Sequence, residues 1–203
     1  VPIELGRLHV LTDRLTVAAA ALDAGAPVIQ VRAKEASDAE AFDLTCRVLE
    51  LARPRGAAVI VDDRLDVALA AGADGVHLGA HDLPVAAARR LAPDGFLIGG
   101  TARDPATAAA LEAAGVGYLG VGPCYETRSK TGLPAPGGPE RVRAVALAVT
   151  VPVIAIAGVT AARVPELLAA GAYGVAVIGA VERSEDPKAA TAELLGALGG
   201  QGS

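Results

Sequence analysis

Short apolar runs alternate with helix-like runs from one end of the chain to the other. The apolar runs are Leu8–Thr12, Val28–Arg32, Ala58–Asp62, Gly75–Leu78, Phe96–Gly99, Tyr118–Gly122, Val153–Ala157 and Gly174–Ile178. Each is rich in β-branched or small residues and too continuous for a strand with one wet face. That is the pattern of strands buried on both sides, as in a parallel sheet. Between them the sequence predicts helices near residues 15–25, 37–53, 65–72, 84–91, 105–114, 139–149, 161–170 and 187–198.

A repeat supports the alternation. Ala24-Gly25-Ala26, Ala71-Gly72-Ala73, Ala114-Gly115-Val116 and Ala170-Gly171-Ala172 each fall just before a predicted strand. Glycine past a helix end takes the left-handed cap conformation at little cost. Start signals agree: Ser37 precedes Asp38 and Glu40, and Asp104-Pro105 and Asp186-Pro187 each open a helix. Eight strands alternating with eight helices predict an α/β fold, a (β/α)8 TIM barrel. It is expected to form a single domain over residues 1–203, with a Gly-rich tail, 199–203, that frays. A doubly wound open sheet is the second choice, weakened because no G-x-G-x-x-G follows the first strand.

Composition narrows the function. Slightly over half of the 203 residues are apolar, and aromatics make up 2%, so the core is expected to be built from small aliphatic side chains. The formal net charge is −5, which offers no basic field for nucleic acid or an anionic membrane. An anionic ligand must then be held by local groups. Cys46 and Cys124 are too few for a disulfide framework and are expected to be free thiols. Charged residues interrupt the N-terminal segment, and the longest apolar stretch, 144–159, is broken by Thr150 and Pro152. No spanning helix is expected, and the location is expected to be cytoplasmic.

In a barrel the chemistry sits where the strands end. Strand two ends in Gln30-Val31-Arg32-Ala33-Lys34. Alternate residues share a face, so Gln30, Arg32 and Lys34 form an anion and heteroatom clamp. Strands three and four bring Asp63 and Asp82 to one rim, a pair suited to Mg²⁺ bridging a polyphosphate. Taken singly, Asp62, Asp63 or Asp82 could equally cap the following helix, and His77 reads as a satisfied barrel histidine. Strand five ends in Gly99-Gly100-Thr101, where backbone can approach a phosphate or a ring closely. Strand six delivers a polar loop with Thr127, Arg128, Ser129, Lys130 and Thr131, read as anion-binding. Gly158 and Ile178-Gly179 end strands seven and eight, where barrels cradle phosphates. No Ser-His-Asp set is recognisable, and Cys124 reads as a buried small hydrophobe. The inventory suits stabilising a departing or bound phosphate better than attacking a carbonyl.

The ordered set Gln30-x-Arg32-x-Lys34, Asp62-Asp63-Arg64, His77-Leu78-Gly79-x-x-Asp82, Ile98-Gly99-x-Thr101, Gly122-Pro123 to Thr127-x-Ser129-Lys130, Ile156-Ala157-Gly158 and Val175 to Ile178 resembles thiamine-phosphate synthase. That family shares its barrel with the thiazole tautomerases. The resemblance runs from Leu8 to about Leu198. It implies a transferase that joins a hydroxymethylpyrimidine diphosphate to a thiazole phosphate, giving thiamine phosphate and diphosphate. It further implies that the pyrimidine–diphosphate bond breaks before the thiazole nitrogen attacks. Carried over by position, Gln30, Val31, Arg32, Ala33 and Lys34 would bind the pyrimidine diphosphate, with Asp62 beside them. Asp63 and Asp82 would hold Mg²⁺. Thr101 and Lys130 would touch the diphosphate, so that Arg32, Lys34 and Lys130 carry the catalytic charge. Thr127, Arg128 and Ser129 would meet the thiazole substrate, with Gly158, Ile178 and Gly179 around its phosphate.

Some positions depart from the family pattern. Asp62 stands where asparagine is usual, Ala80 where glutamine is common, and Gly179 where serine is usual. Thr101 and Ser129 stand where serine and threonine are frequent. A thiazole tautomerase is the nearest alternative; those relatives tend to carry a histidine where this chain has Arg103. A non-catalytic phosphate-binding barrel is a second, needing Gly158 and Gly179 but not the carboxylates. A sugar-phosphate isomerase is a third, needing a general base such as Asp62. The expected partners are small-molecule substrates, neither nucleic acid nor membrane, with a homo-oligomer plausible by base rate.

Overall fold

Eight parallel strands pair in sequence order, and the eighth closes on the first. They are β1 (Leu8–Thr12), β2 (Val28–Val31), β3 (Ala58–Asp62), β4 (Gly75–Leu78), β5 (Leu97–Ala102), β6 (Tyr118–Val121), β7 (Val153–Ile156) and β8 (Gly174–Val177). The computed structural model describes residues 5–129 and 132–199. The helices are α1 (Leu15–Asp23), α2 (Asp38–Ala52), α3 (Leu65–Ala71), α4 (Val85–Leu91), α5 (Pro105–Ala113), α6 (Gly138–Ala146), α7 (Val164–Ala169), α8 (Gly179–Glu182) and α9 (Pro187–Gly199). The chain is therefore a (β/α)8 barrel, as its pattern predicts.

The predicted and observed elements differ mainly at their ends. Strand β5 runs to Ala102 rather than stopping at Gly99, because its glycines still pair with β6. The helix expected at 161–170 begins as a 3-10 turn, Ala161–Arg163. The short α8 has no counterpart in the sequence reading. Helix α9 runs through Gly199, and residues 200–203 of the expected tail lie outside the described residues.

All four glycines of the repeat have left-handed backbone, with φ between 69° and 98°. After α1, Gly25 N–H donates to Leu22 O and Ala26 N–H to Ala21 O, at 3.0 Å each. This is a Schellman closure, and the same pair of bonds recurs after α3, α5 and α7. The repeat is thus a device that satisfies the last carbonyls of a helix and turns the chain into the next strand. At the other ends Ser37 and Glu40 form a full capping box on α2, and Asp104 caps α5.

Strand parity separates two apolar layers. Leu8, Val10, Ile29, Val31, Val59, Val61 and their counterparts face outward against the helices and form the main core. Leu11, Val28, Ala58, Ile60, Tyr118, Ile154 and Ala176 fill the barrel interior. The lower layer of the interior is thereby closed, while the upper inward positions on β2 to β5 are polar or glycine. Cys46 and Cys124 are both free thiols. Among the described residues no helix is long and apolar enough to cross a membrane.

Candidate active site

The C-terminal ends of the strands surround one cavity of about 690 Å³. Its wall follows from parity: the inward residues one layer above the apolar plug are Gln30, Asp62, His77, Thr101, Gly120 and Ile156. The register places Asp62 beside His77, His77 beside Gly99, and Thr101 beside Gly120. Sequence-distant groups therefore meet because neighbouring parallel strands end at one level.

On the β2–β3 side, Gln30 Nε2 donates to Asp62 Oδ1, and Arg32 Nε lies 3.3 Å from Asp62 Oδ2. Lys34 pairs with the Asp63 carboxylate. Gln30, Arg32 and Lys34 do share a face, and carboxylates hold them there. Val31 and Ala33 point the other way on the alternation; Val31 is buried in the outer core, and neither side chain lines the cavity.

Asp62, Asp63 and Asp82 all border the cavity. None caps a helix: the N-cap residues of α3 and α4 are Arg64 and Pro84, each without a side-chain cap. Asp82 Oδ2 instead accepts from Gly79 N–H at 2.6 Å. Asp63 has φ 57°, an uncommon conformation for a non-glycine residue, and its own N–H donates to His77 O at 2.9 Å. The second carboxylate oxygens of Asp63 and Asp82 have no hydrogen bond among the described residues.

Between β4 and β6 lies a half-buried chain of hydrogen bonds. Tyr118 Oη is 3.0 Å from His77 Nδ1, and His77 Nε2 is 2.9 Å from Thr101 Oγ1. The barrel makes room for it with glycines. A Cβ on Gly99 would overlap the Tyr118 ring, and one on Gly120 would lie 3.0 Å from His77 Cε1. The Gly99-Gly100 pair thus serves packing: Gly99 admits the tyrosine ring, and Gly100 faces Val116 and Leu111. Burial, with the negative charge of Asp62, raises the Tyr118 pKa well above its ordinary value, so the phenol stays protonated.

The remaining wall comes from the segment after β6 and the tips of β7 and β8. Thr127, Arg128 and Ser129 border the cavity, and Ser129 N–H donates to Thr127 Oγ1 at 3.2 Å. Lys130 and Thr131 lie outside the described residues. The segment is fastened to β7: Cys124 N–H and Tyr125 N–H donate to Ile156 O and Ala157 O. Gly158, with φ 68°, lies under it, and a Cβ there would sit 2.6 Å from Glu126 O. Ile178 and Gly179 line the β8 side. Cys124 is buried, its thiol pushed up to about 11 by desolvation, which leaves it inert at neutral pH.

Sequence reasoning passed over Tyr118, His9, Arg163 and Arg183. Tyr118 opens an apolar run and reads as core. His9 is fully buried in the barrel, with Nε2 3.1 Å from Gly6 O and Nδ1 without a hydrogen-bond partner among the described residues. Desolvation and the neighbouring His77 lower its pKa to about 3. Arg163 donates to Gly158 O at 2.6 Å and lies over the Tyr125 ring, 4.1 Å from its centroid. Tyr125 in turn donates to Glu166. Both arginines are reached from helical turns beyond the strand tips; a cation within the first turns after a Gly-tipped strand is the signal that would have found them.

The chain matches the model of the thiamine monophosphate synthase family over residues 6–181. It is 53% identical over 203 residues to a thiamine-phosphate synthase of Salinispora arenicola, covering 96% of this chain and 98% of that one. It is 45% identical over 189 residues to one from Methanoculleus marisnigri, covering 93% and 87%. Among solved structures it resembles thiamine phosphate pyrophosphorylase from Pyrococcus furiosus, with TM-score 0.88, 36% identity and 95% of each chain covered. A 3-hexulose-6-phosphate synthase shares the fold, with TM-score 0.75 at 24% identity over 95% of this chain and 99% of that one. On these matches the chain belongs to the thiamine monophosphate synthase family.

Proposed function

We propose that this chain condenses a hydroxymethylpyrimidine diphosphate with a thiazole phosphate to give thiamine phosphate and diphosphate. The observation that carries the reading is the division of one cavity into two polar poles over an apolar floor. One pole, at β2 to β5, holds Gln30, Arg32, Lys34, three carboxylates and Thr101; the other, at β6 to β8, holds Thr127, Ser129, Gly158 and Gly179. Leu11, Ile154, Ile156 and Ala176 lie between and below them. Such a cavity seats two anionic substrates with their rings in contact. The Salinispora and Methanoculleus relatives, at 53% and 45% identity, bear the synthase name, and neither alternative, tautomerase nor non-catalytic barrel, gains support from them.

The chemistry needs no protein nucleophile. The C–O bond of the pyrimidine diphosphate breaks, and its electron pair leaves with the diphosphate. The thiazole nitrogen lone pair then forms the new C–N bond to the pyrimidine cation. Arg32, Lys34 and Lys130 are assigned to the charge that develops on the leaving diphosphate, and Thr101 donates to it. Gln30 and Asp62 face the pyrimidine ring, where the Asp62 carboxylate also stabilises the cation. Thr127, Arg128 and Ser129 orient the thiazole, and Gly158, Ile178 and Gly179 surround its phosphate. The backbone of Val31 and Ala33 completes the strand-end contact. Asp63 and Asp82 fit a hard divalent cation: each keeps one carboxylate oxygen without a hydrogen bond among the described residues. No cluster of three or more protein ligands occurs among those residues, as Mg²⁺ requires only one or two carboxylates beside phosphate oxygens. When bound there, Mg²⁺ would supply charge neutralisation for the departing diphosphate. A soluble cytoplasmic enzyme acting as a homo-oligomer accords with this reading.

The reading is tested by mixing both substrates with the purified chain and measuring thiamine phosphate and diphosphate. Equal amounts of the two products are expected. Diphosphate released without thiamine phosphate would show hydrolysis and refute the condensation.

A further inference from the structure

Some cations at the mouth of the cavity have no place in these roles, Arg183 among them. Arg183 follows α8 and turns back across the tip of β8. A Cβ on Gly179 would overlap its guanidinium, so any side chain at 179 would displace it. Nη1 donates to Ser129 Oγ at 2.9 Å, which ties the β8 tip to the segment after β6. No carboxylate lies within ion-pair distance of Arg183 among the described residues.

Arg103 and Arg128 also border the cavity, but neither spans the β8 tip and the segment after β6 as Arg183 does; the remaining cations near the site are engaged elsewhere. Arg32 and Lys34 face carboxylates, and Arg163 donates to a backbone carbonyl while covering an aromatic ring. A guanidinium has five donors in a planar fork that matches phosphate, and Arg183 shows one engaged, on a neutral hydroxyl. It borders the cavity beside Gly179 and Ser129, on the side opposite the acidic pair.

We propose that Arg183 binds the phosphate of the thiazole substrate directly, and that glycine at 179 is what seats it there. The proposal rests on the two-pole reading above. Arg183 and Ser129 together close the phosphate between the β8 tip and the segment after β6. The site thereby discriminates the phosphorylated acceptor from its alcohol.

The test is steady-state kinetics with thiazole phosphate and with the thiazole alcohol, on wild type, Arg183→Ala, Arg183→Lys and Gly179→Ser. Arg183→Ala is expected to raise KM for the thiazole phosphate by about 10- to 100-fold, the range of a charge-assisted contact. The KM for the pyrimidine diphosphate should stay within about twofold, and the preference for phosphate over alcohol should fall by the same factor as the acceptor KM rises. Arg183→Lys should recover part of the loss. Gly179→Ser should weaken the phosphorylated acceptor in wild type and have little effect when Arg183 is already alanine. An equal loss on phosphate and alcohol, or no change, would overturn the proposal. Calorimetry with thiazole phosphate, and the alcohol as control, reads Arg183 without turnover. Arg183-dependent phosphate binding in an enzyme that makes no thiamine phosphate would sink the proposed reaction and keep this site. Binding unchanged in Arg183→Ala would do the reverse.

Discussion

Replacing Tyr118 with phenylalanine removes one oxygen from the barrel interior and leaves the ring in place. The Tyr118 hydroxyl has a single hydrogen-bond partner among the described residues, His77 Nδ1 at 3.0 Å. If it accepted from Nδ1–H, its own proton would be buried unpaired, so it donates. His77 then carries its proton on Nε2 and donates to Thr101 Oγ1 at 2.9 Å, which leaves the Thr101 O–H to point at an oxygen in the cavity. In Tyr118→Phe the half-buried Nδ1 loses the Tyr118 donor, at a cost of about 1 kcal/mol. For a domain of this size that lowers Tm by about 2–4 °C per kcal/mol. With the tautomer no longer fixed, Thr101 loses its orientation toward the diphosphate, and kcat/KM should fall by about tenfold, the equivalent of ~1.4 kcal/mol. Thr101→Val should show a comparable kinetic loss, and Thr101→Ser very little. The assays are a thermal melt and thiamine phosphate formation with the pyrimidine diphosphate varied at saturating thiazole phosphate. A lowered Tm with unchanged kcat/KM would refute the link to Thr101; wild-type values in both would refute the whole chain of donors.

Other perturbations follow from the same geometry. Asp62→Asn keeps an acceptor for Gln30 and should retain synthase turnover within about tenfold, whereas an isomerase using Asp62 as base would lose its activity; loss of thiamine phosphate formation would count against the assignment. Because His9 is neutral in the fold down to about pH 3, the unfolded chain binds the extra proton first as pH falls below about 6.5. Stability should therefore fall from pH 6.5 toward 3 by up to about 1.4 kcal/mol per pH unit on account of this group, and His9→Phe should flatten that slope in denaturant titrations; a slope unchanged by the substitution would contradict it. Gly99→Ala drives a methyl group into the Tyr118 ring and should cost at least about 1–3 kcal/mol, seen as a lower urea midpoint with an unchanged m value.

Most of the architecture was legible because it repeats. Four Schellman closures at Gly25, Gly72, Gly115 and Gly171 mark the helix-to-strand transitions in the sequence itself. Parity then gives the facing of Gln30 and Arg32, and Asp62 confirms it by accepting from Gln30 and ion-pairing with Arg32. Parity also explains why Val31, one residue away, packs outward. What parity cannot give is contact across the barrel mouth. The reach of Arg183 over Gly179 to Ser129 depends on the turn of α8, a four-residue element without an apolar period. Glycine at 99 had a plain reading, close approach to a ligand, and a different use: it admits Tyr118 from the adjacent strand. The partner that fills a glycine's space is set by register, which becomes visible only when β5 and β6 are laid side by side.

The most direct test of the central claim is thiamine phosphate formation from the two substrates, with and without Mg²⁺, by wild type and Asp82→Ala. The account predicts metal-dependent product with stoichiometric diphosphate, reduced by at least about a hundredfold in Asp82→Ala. No thiamine phosphate at any Mg²⁺ concentration from the wild-type chain would contradict it.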